Sequence, residues 1–169
     1  VFGKFRARLT RFETAMTLPE DAPVDLRGAR IAVIGMGRVG TGAYNALKDR
    51  YAEWLVGIET DPDRVRVLQE AGHHVIRADA TDDEFWERAS NDRIGVVLLA
   101  LPELEQNLSA MRHIGAFHDD ARVFAVIRYS EEEAVLKAAG VKAVWNMHAE
   151  AGIAFAEDVR VFLEDENTG

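Results

Sequence analysis

A glycine-rich segment at residues 35–40, G-M-G-R-V-G, carries the strongest chemical signal in the sequence. It directly follows the apolar run I-A-V-I at residues 31–34 and directly precedes a helical pattern. Glycines permit a tight turn and a close approach of the backbone, and the helix N-terminus then offers unpaired N–H groups to a phosphate. The segment therefore predicts a nucleotide-phosphate site. The alternative is a glycine turn that only joins a strand to a helix.

An acidic residue, Glu59, ends the second predicted strand and lies 19 residues after Gly40. A dinucleotide site places its ribose-binding carboxylate at such a position. This carboxylate would accept hydrogen bonds from both ribose hydroxyls and repel the 2′-phosphate of NADP, which favours NAD, AMP or ATP. The alternative is a strand-end acid in solvent.

The segment D-A-T at residues 79–81 follows the third predicted strand, so it falls at the same carboxyl edge of the sheet as the other two signals. Asp79 is a candidate for bonding an adenine or the adjoining backbone. Asp and Thr are also ordinary loop and helix-capping residues. The alternative is therefore that this segment simply leads into a helix.

Alternating strands and helices must position these residues, since short apolar runs alternate with longer helical stretches along the chain. This alternation is typical of strand-helix-strand units in a parallel sheet. We predict strands at residues 30–34, 54–59, 74–77, 95–100, 122–127 and 143–145, and helices at 39–50, 62–71, 83–89, 103–117, 131–139 and 149–163. The sequence thus predicts an α/β fold, a doubly wound, Rossmann-like parallel six-stranded sheet with helices on both faces.

Residues 1–25 differ from the rest of the chain. Apolar residues at positions 2, 5, 9, 12 and 16 fall on one face of a helix, and basic residues stand between them at positions 4, 6, 8 and 11. We interpret residues 1–25 as an amphipathic helix and a linker that contains Pro19 and Pro23, and residues 26–169 as the nucleotide-binding domain. The helix either packs on the domain or a dimer partner, or lies along an anionic membrane surface.

The composition argues against several classes of protein. The net charge of -9 disfavours a nucleic-acid partner, because phosphate contacts need a basic face. The sequence has no cysteine, so neither a thiolate nucleophile nor a cysteine zinc site is available. No run approaches the roughly 20 apolar residues that a membrane-spanning helix needs.

Catalytic and metal-binding candidates are weak. The histidines at positions 73, 74, 113, 118 and 148 do not show the spacing of a zinc-hydrolase helix, and we interpret them as surface or turn residues. There is no G-x-S-x-G motif to carry a nucleophilic serine. The acidic clusters at 82–84 and 131–133 fit helix starts, with a cation site as the alternative. We therefore predict no catalytic and no metal-binding residues.

Four segments in order carry a family resemblance: the glycine segment, E-T-D-P-D-R-V at 59–65, residues 72–81 ending in D-A-T, and I-R at 127–128 with A-G-V at 139–141. Together they resemble the potassium-transport nucleotide-binding domain called RCK, KTN or TrkA-N, most like that of Kef-type potassium-efflux antiporters. The resemblance runs from about Arg30 to Val159. Ala78 departs from the glycine usual before D-A-T, Glu59 from a frequent aspartate, and Val126 from a frequent arginine.

The resemblance implies a regulatory domain on the cytoplasmic face of the inner (cell) membrane that forms a homodimer. It would bind AMP or NAD(H), with ATP also possible, to control potassium flux through an attached or associated membrane transporter. It implies a phosphate role for Gly37, Arg38, Val39 and Gly40, with Gly35 in the same loop, a ribose role for Glu59, and an adenine-side role for Asp79, Ala80 and Thr81. Arg128 is a further candidate for ligand contact, with a surface ion pair as its alternative.

An NAD-dependent oxidoreductase, or a fragment of one, is the alternative function, because the same frame serves hydride transfer. Such an enzyme needs a substrate-binding domain and an acid or base beside the nicotinamide. The sequence indicates neither, so we predict a binding module and not an enzyme.

Overall fold

Six strands and six α-helices alternate along the chain in a computed structural model, which describes residues 26, 28–89 and 93–166. The strands are β1 (Ile31–Ile34), β2 (Leu55–Glu59), β3 (Val75–Arg77), β4 (Val96–Leu99), β5 (Arg122–Ile127) and β6 (Ala143–Asn146). The helices are α1 (Arg38–Tyr51), α2 (Pro62–Glu70), α3 (Asp83–Ala89), α4 (Leu104–Phe117), α5 (Glu132–Ala138) and α6 (Met147–Glu166). The predicted N-terminal amphipathic helix and linker lie outside the described residues.

The strands form one parallel sheet in the order β3-β2-β1-β4-β5-β6. The central strand β1 pairs with β2 on one side, where Ile31 faces Leu55, and with β4 on the other, where Ile31 faces Val96. This is the doubly wound order of dinucleotide-binding folds, in which ligands bind outside the carboxyl ends of the strands where the order reverses. The predicted Rossmann-like fold is confirmed.

Helices cover both faces of the sheet because successive side chains of a strand point to opposite sides. On β1, Val33 packs with Tyr44 of α1 and Val65 of α2 in one core cluster. Ala32 and Ile34 point the other way, into a larger cluster that holds buried side chains of α3, α4 and α5: Phe85, Trp86, Ala110, Ile114 and Leu136. The α1–α2 layer and the α3–α5 layer therefore fix the sheet from either side.

Helix α6 lies apart from these layers. Its side chains are exposed from His148 to Glu164, including Phe155 and Phe162. It begins two residues before and ends three residues after the predicted bounds. No helix in the described part of the chain combines the length and apolar character that crossing a membrane requires.

The five histidines interpreted as surface or turn residues include two that are not at the surface: His113, within α4 with 15% of its side chain exposed, and His118. His118 lies in the turn after α4, as expected, but it is buried. Its ring packs edge-on against Trp86, with 5.8 Å between the ring centroids. The polar side chain of His118 therefore packs in the core between α3 and α4. The spacing of residues along the sequence does not indicate this burial.

Candidate functional site

The glycine loop turns sharply between β1 and α1. Gly35 has a φ of +87°, in the left-handed region that favours glycine. A Cβ on Gly35 would also stand 2.8 Å from the carbonyl oxygen of Ala100, beyond β4. Any side chain at this position is therefore excluded by both conformation and space.

Two further glycines in the loop have different roles. A Cβ on Gly40 would stand 1.9 Å from the Gly35 carbonyl oxygen, so Gly40 lets α1 begin directly against the loop. A Cβ on Gly37, the N-cap of α1, would meet no atom within 4 Å. Gly37 thus leaves open space beside the start of α1. The first N–H groups of a helix have no partner within the helix, so those of α1 can bind a group in this space. Thr41 steadies the loop by donating its hydroxyl to the Met36 carbonyl, at 2.8 Å.

Glu59 at the end of β2 is buried, with 6% of its surface exposed, which rules out the alternative of a strand-end acid in solvent. Its Oε2 atom accepts hydrogen bonds from the Met36 amide and from Nη1 of Arg64, both at 3.0 Å. Its Oε1 atom accepts from the amides of Thr60 at 2.9 Å and Asp61 at 3.0 Å. The carboxylate therefore ties the glycine loop to the start of α2.

The charge state of Glu59 follows from these contacts. Burial raises the pKa of the carboxyl, but the hydrogen bonds from the Asp61 amide and the Arg64 guanidinium, the charge of Arg64 and the Thr60 amide together outweigh burial. The pKa of Glu59 consequently lies below its ordinary value, and Glu59 carries a negative charge at neutral pH. The same hydrogen bond raises the pKa of Arg64.

The segment from Asp79 to Thr81 forms a turn stabilised by its own side chains. Oδ1 of Asp79 accepts hydrogen bonds from the Thr81 amide at 2.8 Å and the Thr81 hydroxyl at 2.7 Å. Ala80 is buried, and its carbonyl accepts a hydrogen bond from the indole of Trp86 at 2.8 Å. The loop leading to α3 is thereby held against the core while its outer side faces the space in front of the sheet.

A cleft of about 890 Å³ lies at the carboxyl edge of the sheet and brings most of the predicted residues together. Nine of the ten predicted ligand-binding residues line it: Gly35, Gly37, Arg38, Val39, Glu59, Asp79, Ala80, Thr81 and Arg128. The tenth, Gly40, is not among the lining residues because it packs behind the loop, against Gly35. The arrangement has the size and position of a nucleotide site.

Positive charge in the cleft comes from three arginines, Arg38, Arg64 and Arg128. Arg64 is paired with Glu59. For Arg38 and Arg128 the described ranges contain no acidic partner within ion-pair distance, so the predicted alternative of a surface ion pair at Arg128 is not seen there. Unpaired guanidinium groups facing a cleft are suited to binding an anionic ligand.

Several residues that line the cleft were not predicted from the sequence. They follow β4, β5 and β6 or begin α2, and include Arg64, Leu101, Pro102, Asn107, Tyr129, Glu132, Met147 and His148. A usable signal existed, because all carboxyl ends of a parallel sheet meet at one edge and the segments after β4 and β6 therefore belong beside the glycine loop. Within residues 26, 28–89 and 93–166, no group of three or more acidic residues or histidines is placed to hold a metal ion.

The chain is similar to glutathione-regulated potassium-efflux system protein KefC of Salmonella arizonae, with 28% identity over 139 residues. That match covers 81% of this chain and 22% of KefC, so the chain spans about a fifth of the length of this relative.

Solved structures share the fold. The TrkA-N domain of inner membrane protein ybaL from Escherichia coli has a TM-score of 0.68 with 24% identity, and the match covers 79% of this chain and 98% of that one. The Shewanella denitrificans Kef C-terminal domain in its AMP-bound form has a TM-score of 0.66, 15% identity and coverage of 79% and 80%. The GsuK channel bound to NAD has a TM-score of 0.59, 18% identity and coverage of 82% and 24%.

The sequence model of one domain family matches a segment of the chain that includes the glycine loop and all six strands of the sheet. The TrkA-N domain model matches residues 31–147, from the first residue of β1 to the first of α6. This is well over half of the chain, and it contains every residue assigned above to the cleft except His148. The chain belongs to the TrkA-N domain family.

Proposed function

We propose that this chain is a regulatory nucleotide-binding domain of a potassium transport system, and that AMP or NAD(H), or else ATP, is its ligand. Bound nucleotide controls potassium flux through a membrane transporter domain or subunit. The observation that carries the proposal is the open space at Gly37, beside the N-terminus of α1, in a cleft that also holds the buried carboxylate of Glu59.

The cleft suits the parts of an adenine nucleotide. Phosphate groups would lie against the N–H groups at the start of α1, where the helix dipole favours negative charge. Arg38 and Arg128 add positive charge to the cleft. The adenosine ribose would lie toward Glu59, and the adenine toward the turn at Asp79 and Thr81. The fit of phosphate to the loop depends on the missing side chain at Gly37.

The relatives support a role in transport. KefC is a potassium-efflux system protein, the ybaL protein is an inner membrane protein, and the Kef and GsuK structures contain AMP and NAD. By extension we place this domain on the cytoplasmic face of the membrane, as a homodimer coupled to a transporter. We further assign residues 26–169 to the nucleotide-binding domain and residues 1–25 to an amphipathic helix and linker that precede it.

Gly37→Val tests the proposal. The added side chain meets no atom of the protein within 4 Å at its Cβ, so the fold should tolerate it, whereas a bound phosphate should not. We expect calorimetric binding of AMP and NAD to the wild type and a loss of at least about a hundredfold in the variant, since the loop phosphate contacts are charge-assisted hydrogen bonds. The circular dichroism spectrum should stay native.

Two results would count against the proposal. Undiminished nucleotide affinity in a folded Gly37→Val protein would place the ligand elsewhere. Steady turnover of NADH with a hydroxy acid, aldehyde or ketone would show an oxidoreductase instead of a regulatory domain.

A further inference from the structure

Arg64 covers the carboxylate that we assign to the ribose. Its Nη1 atom lies 3.0 Å from Oε2 of Glu59, and its Nη2 atom lies 3.8 Å from Oδ2 of Asp61. The side chain of Arg64 is 46% exposed, whereas that of Glu59 is 6% exposed. A buried anion is thus capped by a cation that stands at the wall of the cleft and can move into solvent.

The hydrogen bonds of Glu59 leave little room for another donor. Three donors are backbone amides, of Met36, Thr60 and Asp61. The other two are side chains, the guanidinium of Arg64 at 3.0 Å and the hydroxyl of Thr60 at a longer 3.4 Å. A carboxylate has about four lone-pair positions, so these five donors already saturate it.

A ribose hydroxyl must therefore displace one of these donors. The amides are held by the glycine loop and by the turn into α2, and they cannot leave without unfolding those elements. Two side-chain donors can move, the hydroxyl of Thr60 on Oε1 and the exposed guanidinium of Arg64 on Oε2, and Arg64 is the movable one on Oε2. Binding of a 2′-hydroxyl to Oε2 consequently competes with the Arg64–Glu59 ion pair.

The part of the cleft around Glu59 carries less negative charge than the carboxylate of Glu59 alone would give it. Arg64 offsets the charge of Glu59, and Arg77, which faces Glu59 in the β2–β3 register, donates its Nε atom to the Thr60 carbonyl at 3.4 Å. A guanidinium released from Glu59 has a fork of donors that matches a phosphate group. In dinucleotide sites that bind NADP, an arginine near the ribose accommodates the 2′-phosphate.

We propose that Arg64 is a specificity-determining residue of the nucleotide site: it competes with a 2′-hydroxyl for Glu59 and becomes the partner of a phosphate at the 2′ position. This inference rests on the proposed function, because it concerns the same cleft. It also revises the preference predicted from Glu59, since discrimination against NADP becomes weaker than an unpaired carboxylate would give.

The experiment compares NAD and NADP, which differ only by the 2′-phosphate. Competition titrations against a labelled adenine nucleotide give both Kd values for the wild type and for Arg64→Gln. Loss of the competing cation should lower the Kd of NAD, and loss of the partner of the 2′-phosphate should raise the Kd of NADP. The ratio of the NADP Kd to the NAD Kd should rise at least about tenfold, the effect of one charge-assisted hydrogen bond.

Arg66→Gln is the matched control. Arg66 lies on the same helix and carries the same charge, but it pairs with Asp63 and Glu70 and is not among the residues that line the cleft. Its ratio should equal that of the wild type. Arg64→Lys provides a second variant, which keeps the charge but loses the fork, and its ratio should fall between those of the wild type and Arg64→Gln.

An unchanged ratio in folded Arg64→Gln that still binds NAD would overturn this inference and leave the proposed function intact. A ratio shifted equally by Arg66→Gln would also overturn it, since the effect would then come from the overall charge of α2. Failure of the wild type to bind the labelled adenine nucleotide, NAD or NADP would instead overturn the proposed function.

Discussion

Glu59 holds a buried negative charge whose effect on stability depends on pH. Its pKa in the folded chain lies below its ordinary value because the hydrogen bonds and the Arg64 charge outweigh burial. In the unfolded chain a glutamate has a pKa of about 4.3. A group with a lowered folded pKa stabilises the fold above its unfolded pKa, and this contribution is lost as the pH falls through the folded pKa.

We therefore expect Glu59→Gln to destabilise the domain more at pH 7 than at pH 3. At pH 7 the loss should be about 2 kcal/mol, since hydrogen bonds to a charged group are removed. Urea unfolding at both pH values gives the free energies of unfolding of variant and wild type. Glu53→Gln, at an exposed position outside the lining of the cleft, is the control. A difference between Glu59→Gln and wild type that stays the same at both pH values would contradict the assignment.

The position of Glu59 could be predicted from the sequence, but its partners could not. The spacing from the glycine segment places an acid at the end of β2 because strand-helix-strand units have a regular length. The approach of Arg64 depends on where α2 starts, which is set by Asp61, whose Oδ1 accepts hydrogen bonds from the amides of Asp63 and Arg64. Only that local turn brings residue 64 back over residue 59.

At the level of elements, the contact between the glycine loop and α1 sets how closely the helix approaches β1. A Cβ on Gly40 would stand 1.9 Å from the Gly35 carbonyl oxygen, and that atom belongs to the backbone, which cannot rotate away as a side chain can. Gly42, one half-turn further along α1, is exposed and has no atom within 4 Å of such a Cβ.

These two glycines should respond oppositely to alanine. Gly40→Ala should lower the free energy of unfolding by about 3 kcal/mol or more, because overpacking forces the backbone to shift. Gly42→Ala should raise it by about 0.5–1 kcal/mol, because alanine is the better residue within a helix. Denaturant midpoints measure both. Equal effects at the two positions would show that the helix start is not held against the loop.

The bounds of β1 to β6 agree with the predicted strands to within one residue, and the helices up to α5 do so as well. Apolar runs, glycines and prolines mark those ends locally. Helix α6 was predicted two residues too short at its start and three residues too short at its end. The cleft residues after β4 and β6 needed the sheet order, which is a property of the assembled fold.

For the whole molecule, we expect a homodimer. The exposed residues Phe155, Val159 and Phe162 follow at helical spacing along one side of α6, and contiguous exposed apolar side chains commonly mark a contact surface. Light scattering at tens of micromolar, a concentration of about the order at which a specific interface is populated, should give the mass of at least two chains. Phe155→Glu should shift the protein toward monomer.

Glu157→Gln is the control for the dimer prediction, since Glu157 lies on the side of α6 that is paired with Arg160. It should leave the mass unchanged. A monomeric wild type, with and without AMP, would contradict the prediction. Monomerisation by both variants would point to loss of α6 itself, which the helical signal in circular dichroism would reveal.

The pairing of β1 with β4 also governs how the domain folds. The helices and strands from β1 to β3 are neighbours in sequence, so they can assemble early. The second partner of β1 is β4, which follows β3 and α3 in the chain and can pair only later. Until β4 arrives, the central strand exposes an unpaired edge of apolar residues, the kind of edge that recruits other chains. During synthesis the domain is therefore most vulnerable to aggregation after its first half has emerged and before Val96–Leu99 has joined the sheet.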